Sequence, residues 1–360
     1  MKQTRIIEFE ALRVWAMMMV FLSHSSLYPS GGMGAMTFFV LGGFCMTLGY
    51  RDKILSSQFN YLDFVKNRLL KLFPLHWITL LVAVLLQIND GSFILSRKLI
   101  ANFMLLQSWV PRMDYYFSFN AVAWYLSTLM LFIVLFPAII LLIEKMTQRQ
   151  RTISFLILMG GYLALLFSVP KSMYHPIIYI SPMTRMIDSL VGVALAYFFT
   201  AFKSNSSLLK YGKSSFSVVV VVVVVVGLMI IVNLISSKTL RCVSGIYWLP
   251  ISIVIFTMAM QHETSNKSAI LRFIRLPWVQ RLCMGSFSFY LIHQLVIAQL
   301  KQHTQLNVLF LTIVAFFISY ILSQISYWLI EKKLTTMIIN FPVNSDSHPT
   351  MSRRLTDSHV

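Results

Sequence analysis

Residues 119–144 read FNAVAWYLSTLMLFIVLFPAIILLIE, and no charged residue occurs in this stretch before Glu144. A helix needs roughly 20 mostly apolar residues to cross a bilayer, so the stretch predicts a membrane-spanning helix. Similar runs recur along the chain, at residues 11–29, 33–49, 72–89, 119–144, 153–170, 183–202, 215–235, 246–262, 282–300 and 307–330. The sequence therefore predicts an all-α polytopic membrane protein with about ten transmembrane helices.

The composition agrees with this fold class. Hydrophobic residues make up 57% of the 360 residues and charged residues only 12%, whereas about 25% is usual in soluble domains. We expect one integral membrane domain over residues 1–340, followed by a polar cytoplasmic tail at 341–360 that is predicted to be disordered. The segment from Leu99 to Trp109 is too short to span, which favours an interfacial or re-entrant helix.

The net charge of +18, from 30 basic and 12 acidic side chains, would suggest nucleic acid as the partner of a soluble protein. With the amino terminus in the cytoplasm, however, 22 of the 30 basic residues fall on the inner side and 8 on the outer side. This bias predicts that both termini are cytoplasmic. The bilayer rather than nucleic acid then accounts for the charge. Three scattered cysteines favour neither a disulfide framework nor a metal site.

The first predicted helix carries three ionisable candidates. Arg13 and His24 are eleven residues apart, close to three full helical turns, and Glu10 precedes Arg13 by three, so all three lie on one stripe. Ionisable groups inside a membrane are costly and commonly functional. Arg13 is either a snorkelling anchor, a partner of Glu10 or a holder of an anionic donor. His24, flanked by serines, is favoured to face a polar cavity and to act as a general base.

A second group is the basic stretch KNRLLK at residues 66–71, before the third predicted span. Arg68 and Lys71 stand three residues apart on one helical face, which suits the recognition of phosphates. The alternative interpretation is an ordinary cytoplasmic anchor.

The remaining candidates are Trp124, Arg185, Asp188, His293 and Glu331. Arg185 and Asp188 stand three residues apart and are interpreted either as acceptor-side groups or as a buried ion pair. His293 and Glu331 are either functional or ordinary interfacial groups. The chain contains no G-x-S-x-G, Walker or H-E-x-x-H pattern, so soluble serine-hydrolase, nucleotide-hydrolase and zinc-protease functions have no support.

Taken in order, seven blocks resemble the acyltransferase-3 family of integral membrane O-acyltransferases. They are EALR (10–13) with His24, GAMTFFVLGGF (34–44), RLLKLFP (68–74), WYLS (124–127), RMID (185–188), GSFSFYLIH (285–293) and SYWLIE (326–331). The chain departs from the family pattern at Met36 (usually Asp), Gly42 (Ser), Lys71 (Arg), Leu129 and Met130 (often Glu) and Asp188 (Glu).

The resemblance implies transfer of an acyl group, most often acetyl, to a hydroxyl of a cell-surface or lipid-linked glycan such as O-antigen, capsule or exopolysaccharide. The implied co-substrate is cytoplasmic acetyl-CoA or another acyl-CoA, with no bound cofactor, in the inner membrane of a bacterium. In this interpretation Arg68 and Lys71 receive the phosphates, Arg13 anchors the donor and His24 is the base. Some relatives use an additional SGNH domain, and we expect this chain to act without one. Whether transfer is direct or passes through an acyl-histidine stays open.

A transporter or flippase for a glycan or acyl group is the alternative from another class. Its charged residues would line a path without forming bonds. Such proteins commonly show inverted repeats and broken helices in both halves, and no convincing repeat is found here. The membrane-bound O-acyltransferase superfamily is a second enzyme alternative, but its pattern of an Asn and a distant His is not evident.

Overall fold

The structure is a computed structural model that describes residues 6, 8–28, 31–204, 227, 245–263 and 276–333. Regular structure in these ranges is entirely helical. The first half contains α1 (Glu8–His24), α2 (Gly32–Ile54), α3 (Tyr61–Asn89), α4 (Arg97–Phe103), α5 (Met113–Tyr116), α6 (Trp124–Lys145) and α7 (Gln148–Ser168). The second half contains α8 (Lys171–Tyr174), a π-helix (His175–Ile180), α9 (Pro182–Lys203), α10 (Trp248–Glu263), α11 (Pro277–Cys283), α12 (Ser286–His303), α13 (Val308–Ser326) and a closing π-turn (Tyr327–Glu331).

Six helices in the described ranges are long and apolar enough to cross a membrane, and a seventh span results if the bent pair α11–α12 is counted as one. The fold is therefore that of a helical polytopic membrane protein. Two further predicted segments form helices that are shorter than these, α1 with 17 residues and α10 with 16. The predicted span at 215–235, apart from residue 227, the polar tail at 341–360 and Cys242 lie outside the described residues.

The basic stretch at 66–71 does not precede the third helix, as the sequence predicts, but lies inside it. Helix α3 begins at Tyr61, where the side chain of Asn60 accepts a hydrogen bond from the backbone N–H of Asp63 at 3.1 Å. Lys and Arg are good helix formers, so the basic residues extend the helix beyond the apolar run. The spacing of Arg68 and Lys71 on one face is retained. The segment from Leu99 to Trp109 forms only α4 and one 3₁₀ turn, consistent with its being too short to span.

Helices α2 and α9 form the centre of the bundle and approach each other at two glycines. A Cβ added at Gly43 would lie 2.0 Å from the carbonyl oxygen of Ser189, and one added at Gly192 would lie 2.0 Å from that of Val40. Only residues without a side chain permit this backbone contact, which is common where membrane helices pack. The crossing fixes the position of α9 against α2.

The helix pair α11–α12 is bent by 62° at a short break. Gly285 stands at the break with φ +78°, in the left-handed region that glycine adopts without a steric penalty. Helix α12 then runs for 18 residues and packs along α13 and α1. This packing brings the side chains of α12 to the carboxyl end of α1.

Candidate active site

The structure joins two histidines that are 269 residues apart in sequence. His24 is the last residue of α1, and its Nδ1 lies 2.8 Å from Nε2 of His293 on α12. The two rings are almost parallel, with 8° between their planes and 5.1 Å between their centroids. His293 is buried at 1% exposure, whereas His24 is partly exposed. The pair therefore presents one accessible imidazole, held by a buried one.

Aromatic side chains fix the orientation of the buried ring. Phe289, one turn earlier on α12, stacks on His293 with an interplanar angle of 10°. Phe21 from α1 and Tyr290 from α12 pack against the same ring with centroids 6.1 and 5.9 Å away. Close packing on several sides leaves the imidazole little rotamer freedom, so the direction of its nitrogens is set.

A lysine from α12 caps the end of α1 at the histidine pair. Lys301 Nζ donates to the carbonyl oxygen of His24 and to Oγ of Ser26, each at 3.1 Å. The last carbonyls of a helix have no partner within the helix, and a cation is favourable there. No sequence pattern predicts this contact, because Lys301 is interpreted from the sequence only as a charged residue on the outer side.

Glu10 and Arg13 lie apart from His24, on a large cavity. This cavity of about 2010 Å³ extends between α1, α2, α6, α7, α9 and α10, and both side chains line it together with Cys45 of α2. Arg13 is within hydrogen-bonding reach of the Cys45 thiol. Eleven residues at about 1.5 Å each separate Arg13 from His24 by roughly 16 Å along α1. The three residues of the predicted stripe therefore lie at two separate places: Glu10 and Arg13 at the cavity, and His24 at the other end of α1.

The cavity is also lined by four further cationic side chains: Arg51, Lys53, Arg151 and Lys203. Two of them meet at Glu144, which no sequence motif indicates. Arg51 Nε donates to Glu144 Oε1 at 2.5 Å, Arg151 Nη2 lies 3.6 Å from Oε2, and the Tyr197 hydroxyl donates to Oε1 at 2.7 Å. Arg51 Nη1 also lies 3.0 Å from Oδ1 of Asp52, so two carboxylates balance the two guanidinium groups at this wall of the cavity.

Arg68 and Lys71 do not line the cavity but lie next to it. The guanidinium of Arg68 sits 4.2 Å from the ring centroid of Tyr50, and Lys53, which lines the cavity, faces the same ring at 5.2 Å. Lys71 is exposed. Within the described residues, none of these three cations belongs to an ion pair of the structure. They form an uncompensated basic surface beside the cavity, which we call the basic rim (Lys53, Arg68 and Lys71).

Arg185 and Asp188 form an ion pair in the interior. Arg185 Nη1 lies 2.7 Å from Asp188 Oδ2, and the two side chains are 1% and 0% exposed. Arg185 Nη2 also donates to the hydroxyl of Tyr162 on α7 at 3.2 Å. The pair thus connects α9 to α7 within the apolar core.

Asp188→Asn is expected to destabilise the folded protein by about 3–5 kcal/mol, because it leaves the charge of Arg185 buried without a counter-ion. Thermal unfolding in detergent measures the effect. Asp52→Asn is the matched control, since Asp52 is 86% exposed in its pair with Arg51, and surface pairs contribute about 0–1 kcal/mol. Equal unfolding temperatures for the two variants would contradict the structural importance of the buried pair.

Glu331 caps α12 from the neighbouring helix. Its carboxylate accepts hydrogen bonds from the backbone N–H of Ser288 at 3.2 Å and from the Ser288 hydroxyl. Ser288 is the third residue of α12, where backbone N–H groups have no partner within the helix. The contact joins the short π-helix at Tyr327–Glu331 to the start of α12 and so contributes to the position of His293.

Trp124 is the first residue of α6, within the predicted span at 119–144, and is buried at 5% exposure. Its ring packs against Phe39 and Tyr179, with centroids 6.4 and 5.2 Å away. Its carbonyl accepts a hydrogen bond from Ser108 at 3.0 Å. In the part of the chain that the structure describes, no cluster of three or more His, Cys, Asp or Glu residues has a geometry that could hold a metal ion.

Comparison with known proteins defines the class to which this fold and site belong. The acyltransferase-3 family, described as "Acyltransferase domain", matches residues 6–330. The chain belongs to this family, which is a family of O-acyltransferase enzymes. It is also similar to acyltransferase MdmB of Streptomyces mycarofaciens, with 29% identity over 125 residues. That match covers 33% of this chain and 31% of the relative. No solved structure matches.

Proposed function

We propose that the protein transfers an acyl group, most often acetyl, from a cytoplasmic acyl-CoA to a hydroxyl of a cell-surface or lipid-linked glycan in the inner membrane of a bacterium. The observation that carries the proposal is the partly exposed His24, held by the buried His293, in a member of an acyltransferase family. A neutral imidazole at this position can take the proton of an attacking hydroxyl. Glycans such as O-antigen, capsule and exopolysaccharide offer such hydroxyls.

The positions of the cations support an anionic donor at the opposite end of α1. Arg13 lines the cavity, and the basic rim lies beside it. Phosphates and the nucleotide of coenzyme A are attracted to such a surface. With the amino terminus in the cytoplasm, the cavity opens to the cytoplasmic side and His24 lies toward the outer side. Arg68 and Lys71 then receive phosphates, and Arg13 anchors the donor within the cavity.

The test is a bond-formation assay with the full chain in liposomes, using acetyl-CoA labelled in the acetyl group and a panel of lipid-linked glycans. We expect the label to become covalently bound to glycan as an ester, visible by mass spectrometry and NMR. Movement of label or glycan across the membrane without ester formation would instead favour the transporter alternative and overturn the proposal.

Combined replacement of Arg68 and Lys71 by Ala is expected to raise KM for acyl-CoA about tenfold or more and to change kcat little. The reason is that charge-assisted contacts to phosphate bind substrate and transition state alike, each contributing about 1.5–3 kcal/mol at most. Steady-state kinetics with varied acyl-CoA measure the change.

The matched control for this pair is Arg97→Ala with Lys98→Ala, which removes two charges from α4. Arg97 and Lys98 lie between the predicted spans 72–89 and 119–144, on the predicted outer side, so KM for acyl-CoA should not change. An unchanged KM in both double variants would show that the basic rim does not bind the donor.

A further inference from the structure

We infer that His293 is a positioning residue that fixes the tautomer of His24, so that the nitrogen available as base is Nε2 of His24. This inference rests on the proposed function and names the atom that performs its central step. It follows from the direction of two hydrogen bonds that lead from the backbone of α12 to the end of α1.

The first hydrogen bond sets the tautomer of His293. Its Nδ1 lies 3.1 Å from the carbonyl oxygen of Phe289. A carbonyl can only accept, so Nδ1 of His293 carries the hydrogen. In a neutral imidazole only one nitrogen is protonated, and Nε2 of His293 is therefore an acceptor with its lone pair in the ring plane.

The second hydrogen bond sets the tautomer of His24. Nε2 of His293 accepts at 2.8 Å, so the donor must be Nδ1–H of His24. The nearly common plane of the two rings and their 5.1 Å centroid separation fit a linear N–H···N bond rather than a face-to-face stack. His24 then carries its remaining lone pair on Nε2, the nitrogen on the far side of the ring from His293.

The opposite arrangement has a clear energetic cost. If Nε2 of His293 were protonated, its Nδ1 lone pair would face the carbonyl oxygen of Phe289, and two acceptors would be buried against each other. His293 is 1% exposed, so no solvent could relieve this. An unsatisfied buried polar group costs about 1–3 kcal/mol, which is enough to select one tautomer.

The chemical step balances with this assignment. The O–H bond of the acceptor breaks as its proton moves to Nε2 of His24, the hydroxyl oxygen forms the ester C–O bond, and the C–S bond of the acyl thioester breaks. The thiolate takes the proton back from Nε2. Between these events His24 is an imidazolium, and its Nδ1–H strengthens the hydrogen bond to His293, which spreads the charge over the pair. The products are an acyl ester and the free thiol of coenzyme A.

Kinetics of two variants at one position test the inference. His293→Gln keeps an acceptor near the position of Nε2, whereas His293→Leu removes it. We expect His293→Leu to lower kcat at least about 100-fold with KM for acyl-CoA unchanged, and His293→Gln to retain kcat within about tenfold of the natural protein. His76→Leu is the matched control, because His76 is buried and donates from Nε2 to the Asn102 carbonyl at 2.8 Å. If the Gln and Leu variants lose kcat equally while both are folded, the inference is wrong.

A spectroscopic readout tests the tautomer without any activity. The natural protein is labelled with ¹⁵N-histidine, and the two signals are assigned by their loss in His24→Asn and His293→Gln. We expect ¹⁵N shifts of the Nδ1–H tautomer for both residues at neutral pH. An Nε2–H tautomer at His24 would overturn the inference even if the protein proves to be an active transferase. Conversely, absence of transferase activity with the expected shifts would refute the proposed function and leave the tautomer assignment intact.

Discussion

Replacement of His24 by Asn is expected to lower kcat for acyl transfer by about 10²–10⁴-fold, the usual contribution of a positioned general base. The side-chain amide of Asn can still donate to Nε2 of His293, so the contact between α1 and α12 at 2.8 Å has a substitute. It carries no basic lone pair, however, and cannot take a proton from a hydroxyl. Single-turnover kinetics with labelled acyl-CoA and an acceptor glycan measure the chemical step.

Two controls make the His24 result specific. His303→Asn changes an exposed histidine at the end of α12 and should leave kcat unaltered. Binding of acyl-CoA to His24→Asn should match that of the natural protein, because the cavity and the basic rim lie at the other end of α1. If His24→Asn keeps natural kcat, His24 is not the base and the proposed mechanism fails.

Gly43→Leu is expected to destabilise the packing of α2 against α9 strongly. A Cβ at this position would lie 2.0 Å from the carbonyl oxygen of Ser189, and the obstacle is backbone rather than a flexible side chain. Overpacking commonly costs about 1–3 kcal/mol, and a clash between two helix backbones belongs at the upper end of that range. We expect a large fall in unfolding temperature and a broadened elution profile in detergent, since α2 and α9 must separate to admit the side chain.

The neighbouring glycine supplies the control for this prediction. A Cβ at Gly42 would meet nothing within 4 Å, so Gly42→Leu should be tolerated. It is expected to leave stability unchanged or to raise it slightly, because Leu has a higher helix propensity than Gly by up to about 1 kcal/mol. Equal loss of stability in the two variants would indicate that helix composition, and not the crossing with α9, governs the result.

The existence of the helices was predictable, because a long apolar run without charges has few other stable forms. Their ends were less so, as α3 illustrates. The sequence places its start at residue 72, where the apolar run begins, whereas the helix begins at Tyr61. The capping side chain of Asn60 and the good helix propensity of lysine and arginine decide the true boundary. A hydropathy pattern contains information on neither the capping side chain nor the helix propensity of charged residues.

The contacts of the site depend on packing between helices that are distant in sequence. His24 and His293 are both visible as candidates, but their contact across 269 residues depends on how α12 packs after its bend at Gly285. Lys301 and Glu144 were missed because each acts through a partner on another helix. Spacing along one helix predicts which residues share a face, and it contains no information on the facing helix.

One departure from the family pattern now has a structural context. Met36 stands where the family usually carries an aspartate, and it is 1% exposed within an apolar cluster that includes Phe9, Val40 and Phe44. A carboxylate in these surroundings would need a partner, whereas the thioether fills the space without one. This position therefore contributes packing in the present chain.

The glycine crossing of α2 and α9 has a further consequence. Where a Cβ is impossible, the α-hydrogens of Gly43 and Gly192 point at the carbonyl oxygens of Ser189 and Val40. Such Cα–H···O contacts contribute about 0.5–1 kcal/mol each and have a preferred direction. Apolar packing alone lets two helices slide, but a reciprocal pair of directional contacts sets one registry between them. The crossing therefore fixes the registry of α2 and α9 at the centre of the bundle.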